Sequence, residues 1–265
     1  MLANVATFAV AKRDCSMDEC EDSFWVSPTA SGEVTKKSLR VVVTDGATES
    51  LLAGRWAAKL ATSFGIAVSP TKSKAGFVSA YQTAVTDWGE ELAKYRSDRE
   101  ARDAPIQWFE EPGLARGAYS TIIAVDFVEG SANSLPKWRA VAIGDSCLFQ
   151  VRDERLLACF PIQDESSFSY QPPLLSSRGA DSSVVAKCLV KISGTWQQDD
   201  SFYVVTDALA AWFLRSAHAG EMPWSPLRDL DTIDFVVDFQ TWVNARRDEG
   251  TLRDDDTTLV RIDLY

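Results

Sequence analysis

The apolar positions change their spacing several times along the chain, and each change marks an element. Residues 3–11 and 22–27 alternate apolar and polar side chains, as half-buried strands do, and flank a polar turn from Lys12 to Glu21. Leu39 to Thr44 (LRVVVT) is a continuous apolar run that reads as a buried strand ending at Asp45-Gly46. The period then lengthens. Leu52, Trp56, Leu60 and Phe64 recur every four residues, which predicts a helix over 49–66. Phe77, Tyr81, Val85, Trp88 and Leu92 predict a long amphipathic helix over 75–101. Residues 103–117 read as a loop, followed by strands at 119–128, 137–143, 147–152 and 155–160, the last two joined by a turn at Asp153-Glu154. The stretch 161–183 is rich in Ser, Pro and Asp and reads as a long irregular segment. Strands at 184–192 and 201–206, helices at 208–218 and 233–247, and a final strand at 257–264 complete the pattern. Helix pairs with blocks of consecutive strands between them predict an α+β layered architecture.

Composition narrows the class. Apolar residues make up 46% of the 265 positions and charged residues 25%, ordinary values for a globular protein. There are 27 Lys and Arg against 38 Asp and Glu, a net charge of −11. With no basic stripe visible, that balance argues against gripping a nucleic-acid backbone or an anionic membrane. No apolar run approaches the ~18 residues of a membrane span. The apolar start is followed, not preceded, by Lys12 and Arg13, the wrong polarity for a signal peptide. Five scattered cysteines, Cys15, Cys20, Cys147, Cys159 and Cys188, suit a reduced, cytoplasmic protein. His218 is the sole histidine, so histidine-based zinc sites and Ser-His-Asp triads have little material.

The candidate chemistry lies in where the acids fall. Glu21-Asp22 opens a strand, Asp45 and Asp207 end strands, Asp145 ends one within Gly144-Asp145-Ser146, and Asp254-Asp255-Asp256 precede the last strand. Any one of these is ordinary turn chemistry, since Asp caps turns and stays solvated. Together, on one rim, they would repel one another strongly unless a cation lay among them. Oxygen-rich sites of this kind suit Mg²⁺ or Mn²⁺. Two such ions ~3.5–4 Å apart can lower the pKa of a shared water and clamp a phosphoryl group. Gly46 would let the backbone bend and present its carbonyl.

The ordered segments EDSF, VVVTDG, AVAIGDSCLFQVRDERL, DSFYVVTDAL and RDDDTTLVRI resemble the metal-dependent serine/threonine protein phosphatases of type 2C, in a compact bacterial style, over residues 3–264. The resemblance implies a single domain, 1–265, built as a four-layer αββα sandwich of two mainly antiparallel sheets flanked by helix pairs. It implies hydrolysis of phosphoserine and phosphothreonine in proteins by a hydroxide bridging two Mn²⁺ or Mg²⁺ ions. Asp45 would bridge both metals, the Gly46 carbonyl would bind one, and Asp207 and Asp255 the other. Glu21 and Asp22 match the first acidic pair, and Asp145 the acid that can hold a third ion with Asp207. Asp22, Asp45 and Asp207 are the catalytic candidates. The implied partners are a phosphorylated protein substrate and a cognate Ser/Thr kinase, with the chain acting as a monomer.

The chain departs from that pattern at several places. The family's phosphate-binding Arg would fall near Met17, which is not basic, and Lys12 and Arg13 stand at a different spacing. Ala47-Thr48-Glu49-Ser50 follows Asp45-Gly46 where His or further glycines are usual, Ala208 follows Asp207 where Gly is usual, and Asp256 replaces an Asn. These departures motivate an alternative, a weakly active or inactive phosphatase-like module that binds a phosphoprotein or kinase. The segment 160–183, with Phe160, Phe168, Tyr170, Pro172 and Pro173, is either a substrate-selecting flap or a surface loop pinned by its aromatics. Trp56 and Trp88 are read as core, His218 as a helix-end residue, and Arg96–Asp103 as a solvated helix end with paired charges.

Overall fold

The computed structural model describes residues 1–28, 31–169, 171–230 and 235–265. Two antiparallel sheets form its centre. The first contains β1 (Leu2–Val10), β3 (Gly32–Thr35), β8 (Cys147–Arg152), β9 (Arg155–Phe160), β12 (Ser201–Val205) and β13 (Thr257–Leu264), in the order β3-β1-β13-β12-β8-β9. The second contains β2 (Asp22–Ser27), β4 (Ser38–Asp45), β6 (Ile122–Val128), β7 (Lys137–Ile143) and β11 (Val190–Thr195), in the order β11-β7-β6-β4-β2. A two-residue ribbon pairs β5 (Tyr119–Ser120) with β10 (Leu175–Ser176).

Three apolar clusters order the layers. Val5, Val41, Val43, Val125, Phe127, Trp138, Phe202, Val260 and Ile262 fill the space between the sheets. Strands buried on both faces read as unbroken apolar runs, which is why VVV and IIAV stand in β4 and β6. Outside the second sheet lie α1 (Ala53–Ile66), α2 (Lys74–Ala101) and α4 (Ser182–Cys188), which bury Trp56, Phe64, Phe77, Tyr81 and Val185. Outside the first lie α5 (Asp207–His218), α6 (Trp224–Arg228) and α7 (Phe235–Asp248), with Phe213, Trp224 and Phe239 at the contact. A short α3 (Glu111–Arg116) follows α2. The order helix, sheet, sheet, helix agrees with the sandwich the resemblance implied.

Most predicted elements lie within a residue or two of those observed. The turn at Asp153 and Glu154 holds both residues at positive φ, 48° and 55°, and joins β8 to β9. The strand expected over 184–192 is corrected. Asp181 caps a helix by accepting from the Ser183 amide, the helix runs to Cys188, and extended chain begins only at Val190. Val184 is exposed and Val185 buried, a one-sided pattern too short for spacing alone to separate helix from strand. The helix expected from Glu49 begins at Ala53, because Leu52 adopts a left-handed conformation. The loop 103–117 contains α3, whose first turn carries Pro112. The last helix is described from Phe235, so its expected start at Ile233 lies outside the described residues, as does Tyr170.

The mixed charges at the end of α2 pair as expected: Arg96 with Glu111 at 2.7 Å, Arg99 with Glu110 at 3.1 Å. Trp56 and Trp88 meet edge-on, 5.5 Å between ring centroids, within the outer core. His218 is exposed in the last turn of α5. The segment 160–183 is fastened at several points. Phe160 joins the inter-sheet core, Phe168 packs on the α5 side, and the Leu175 carbonyl accepts from the Trp56 indole at 2.8 Å. Among the described residues no helix is long and apolar enough to cross a membrane.

Candidate active site

The acids meet where the ends of the two sheets come together. Asp22 opens β2 and stands opposite Asp45, the last residue of β4. Asp22 also reaches across to the other sheet. Its Oδ2 accepts from the Thr206 hydroxyl at 2.9 Å, and that hydroxyl accepts from the Thr258 amide at 2.9 Å. Thr206 follows β12, and Asp207 begins α5. One hydroxyl therefore ties the start of β2 to the end of β12 and the start of β13.

Two glycines let the chain turn here. After Asp45, the Gly46 amide donates to the Glu21 carbonyl at 3.1 Å, and a Cβ at Gly46 would lie 2.8 Å from the Ala53 carbonyl carbon and 2.9 Å from the Glu21 oxygen. No side chain fits between α1 and β2. Gly144, at φ +109°, sits against Thr121 and directs the chain into Asp145. Asp145 is only 4% exposed.

The electrostatics record the convergence. Burial, then the charges of Asp22, Asp207, Asp145 and Asp255, push the Asp45 carboxyl well above its ordinary range. Burial, followed by Asp256 and Asp207 among the neighbouring charges, does the same to Asp22. Asp145 is raised to about 7 by burial and by Asp207. Both Asp22 and Asp45 keep some accessible surface, yet Asp22 Oδ1 is buried with no hydrogen-bond partner.

The rim is built differently. Nη2 of Arg253 donates to Asp207 Oδ2 and, at 2.9 Å, to Asp255 Oδ2. Asp256, 4% exposed, accepts the Lys12 amide at 2.8 Å on Oδ1 and the Glu21 amide at 2.7 Å on Oδ2. That one carboxylate fixes the end of β1 against the start of β2. Nζ of Lys12 then lies 3.2 Å from Glu21 Oε2, which also accepts from the Thr48 hydroxyl at 2.6 Å. Met17, at the place of the expected phosphate-binding residue, is an exposed residue of a short 3₁₀ turn. A cavity of about 440 Å³, lined by Lys12, Arg13, Gln240, Asn244 and Arg247 among others, opens beside Lys12.

No protein-family model matches the chain, and no curated protein matches it in sequence. Solved structures match it end to end. A serine/threonine phosphatase of S. agalactiae shares 12% identity at a TM-score of 0.58, over 99% of this chain and 100% of the other. The Mycobacterium tuberculosis serine/threonine phosphatase PstP/Ppp shares 15% at 0.54, over 100% and 99%. The PPM Ser-Thr phosphatase MsPP of Mycobacterium smegmatis shares 15% at 0.51, over 98% of both chains. The chain has the fold of the PPM serine/threonine phosphatases.

Within this phosphatase fold the donor set suits a hard divalent cation. It is all oxygen, rich in carboxylate, and leaves Asp22 Oδ1 buried and unpartnered. Yet among the described residues no three acidic, cysteine or histidine side chains are gathered tightly enough to hold one ion. The chain's own cations rest on Asp207, Asp255 and Glu21. Sequence reasoning missed Thr206 and Arg253, and saw Asp256 only as a replacement. Arg253 directly preceding three aspartates was the available signal.

Proposed function

We propose that the chain is a metal-dependent phosphatase acting on phosphoserine and phosphothreonine in proteins. The observation that carries the reading is the convergence on Asp45 of four other carboxylates from separate strand ends, in a fold shared with PPM phosphatases. Asp22, Asp45 and Asp207, with Glu21, Asp255 and the Gly46 carbonyl, are the groups that would hold Mn²⁺ or Mg²⁺, and Asp145 with Asp207 those for a third ion. Bound there, such ions supply the charge that acidifies a water and neutralises phosphoryl oxygens.

The chain's own residues supply the rest. Thr206 fixes Asp22 in one orientation, and Asp256 holds Lys12 and Glu21 in register. Lys12, whose ammonium lies 3.2 Å from Glu21, would meet the phosphoryl group. The cavity beside it would receive side chains flanking the phosphorylated residue. The carboxylates would orient the attacking water.

The test is hydrolysis of a small aryl phosphate and of a phosphothreonine peptide under saturating Mn²⁺, with and without chelator. Turnover that needs Mn²⁺ and vanishes in Asp45→Ala supports the reading; chelator-resistant turnover refutes it. A second reading, a phosphoprotein-binding module with little turnover, is favoured by the guanidinium on Asp207 and Asp255. Phosphopeptide binding without hydrolysis would select it.

A further inference from the structure

Arg253 is the one feature of the site that the phosphatase reading does not require. Its Nη2 donates to oxygens from two elements, Asp207 Oδ2 at the first residue of α5 and Asp255 Oδ2 just before β13. Two carboxylate oxygens thus converge on a single positively charged atom. Asp45 also contributes to the charge environment of the guanidinium. The contact is strong in charge but weakly anchored, because the Arg253 side chain is 53% exposed while Asp207 is 15% exposed. Its bonds to Asp207 and Asp255 hold the head group in place. A group tethered two residues from Asp255 is also always present at high local concentration.

We infer that Arg253 is a displaceable internal counter-ion, which competes with a divalent cation for the Asp207–Asp255 pair and makes the two halves of the site unequal. The inference rests on the metal-dependent reading above. The Asp22–Asp45 half has no such occupant: Asp22 is met only by the neutral hydroxyls of Thr206 and Thr258. A divalent ion arriving there gains two carboxylates without removing a cation. At Asp207–Asp255 it must first break two charge-assisted hydrogen bonds. The cation-binding groups therefore fill in order, with the Asp22–Asp45 half first, and the second half fills only as Arg253 swings into solvent.

The experiment is a calorimetric Mn²⁺ titration of the metal-free full chain, comparing wild type with Arg253→Gln and Arg253→Lys. Arg253→Gln, which keeps the length and loses the charge, is expected to tighten the weaker Mn²⁺ site about tenfold and the tighter one much less. Arg253→Lys, which keeps the charge, is expected to bind as wild type does. Because Arg253 is largely exposed, all three should show the same far-ultraviolet circular dichroism in chelator. Identical isotherms for wild type and Arg253→Gln overturn the competition while leaving a metal site in place. Equal tightening by Gln and Lys also overturns it, since charge would then not be the cause. Failure of all three proteins to bind Mn²⁺ overturns both this inference and the reading it rests on.

Discussion

Two pairs of aspartates, close enough for each to feel the other's charge, differ in what is bonded to them. Asp22 and Asp45 face each other across β2 and β4 with no cation bonded to either, and burial with like charges raises both carboxyls. Asp207 and Asp255 lie at the rim and share a guanidinium. The first pair is held by the sheets, whose ladder fixes the two residues opposite each other whatever the charge costs. The second sits on a helix start and a loop, where the chain is free to bring in its own counter-charge. The contrast teaches that a ladder can hold like charges side by side, whereas a looser segment can bring in a counter-charge, although burial and Asp207 still raise the Asp255 carboxyl.

The largest expected effect strikes both pairs at once. Asp45→Ala and Asp207→Ala should each lower Mn²⁺-dependent turnover roughly 100-fold or more, since even groups that merely orient a ligand cost 10–100-fold. Steady-state kinetics under saturating Mn²⁺ would check this, and near-normal turnover in either variant removes that residue from the site.

The buried pair carries a pH dependence of its own. In chelator, Asp45 ordinarily ionises at 3.8 when unfolded and well above that when folded. A raised carboxyl favours the folded state less and less as pH climbs past 3.8, by about 1.4 kcal/mol per unit, until the raised value is passed. Asp45→Asn removes that cost. Its melting temperature should therefore exceed that of wild type at pH 7.5 and match it near pH 4. An equal difference at both pH values contradicts the assigned strain.

Much of the fold was legible because strands buried on both faces and four-residue helical spacing leave strong periodic marks, as in β4 and α1. The short α4 was not, since seven residues around two valines satisfy either period and only the Asp181 cap decides. In the site, the acids at strand ends could be read because they adjoin apolar runs directly. The Thr206–Asp22 bond could not: it spans 184 residues and depends on how two sheets stack, which no local pattern records. Lys12 illustrates the same gap. Counting residues back from Glu21 pointed to Met17, whereas the anchor supplied by Asp256 sets where a basic side chain arrives.

That anchor gives a smaller test. Asp256→Ala leaves the Lys12 and Glu21 amides without their acceptor and should cost about 1–3 kcal/mol in denaturant unfolding. Asp256→Asn, which keeps one carbonyl oxygen, should cost less; equal losses would show that shape rather than acceptance matters. Smallest of all, Lys12→Met should raise KM for a phosphopeptide several-fold with little change in kcat, because a partly solvated ammonium contributes about 1 kcal/mol to binding. A fall in kcat alone would place Lys12 elsewhere in the reaction.

The convergence itself is most directly examined by anomalous diffraction from a crystal soaked in Mn²⁺. Peaks are expected among Asp22, Asp45, Asp207 and Asp255, strongest beside Asp45 and with Arg253 turned outward wherever the rim is filled. A well-diffracting soaked crystal with Mn²⁺ bound only at other surfaces, and these carboxylates still as they stand, would contradict the existence of a shared cation site.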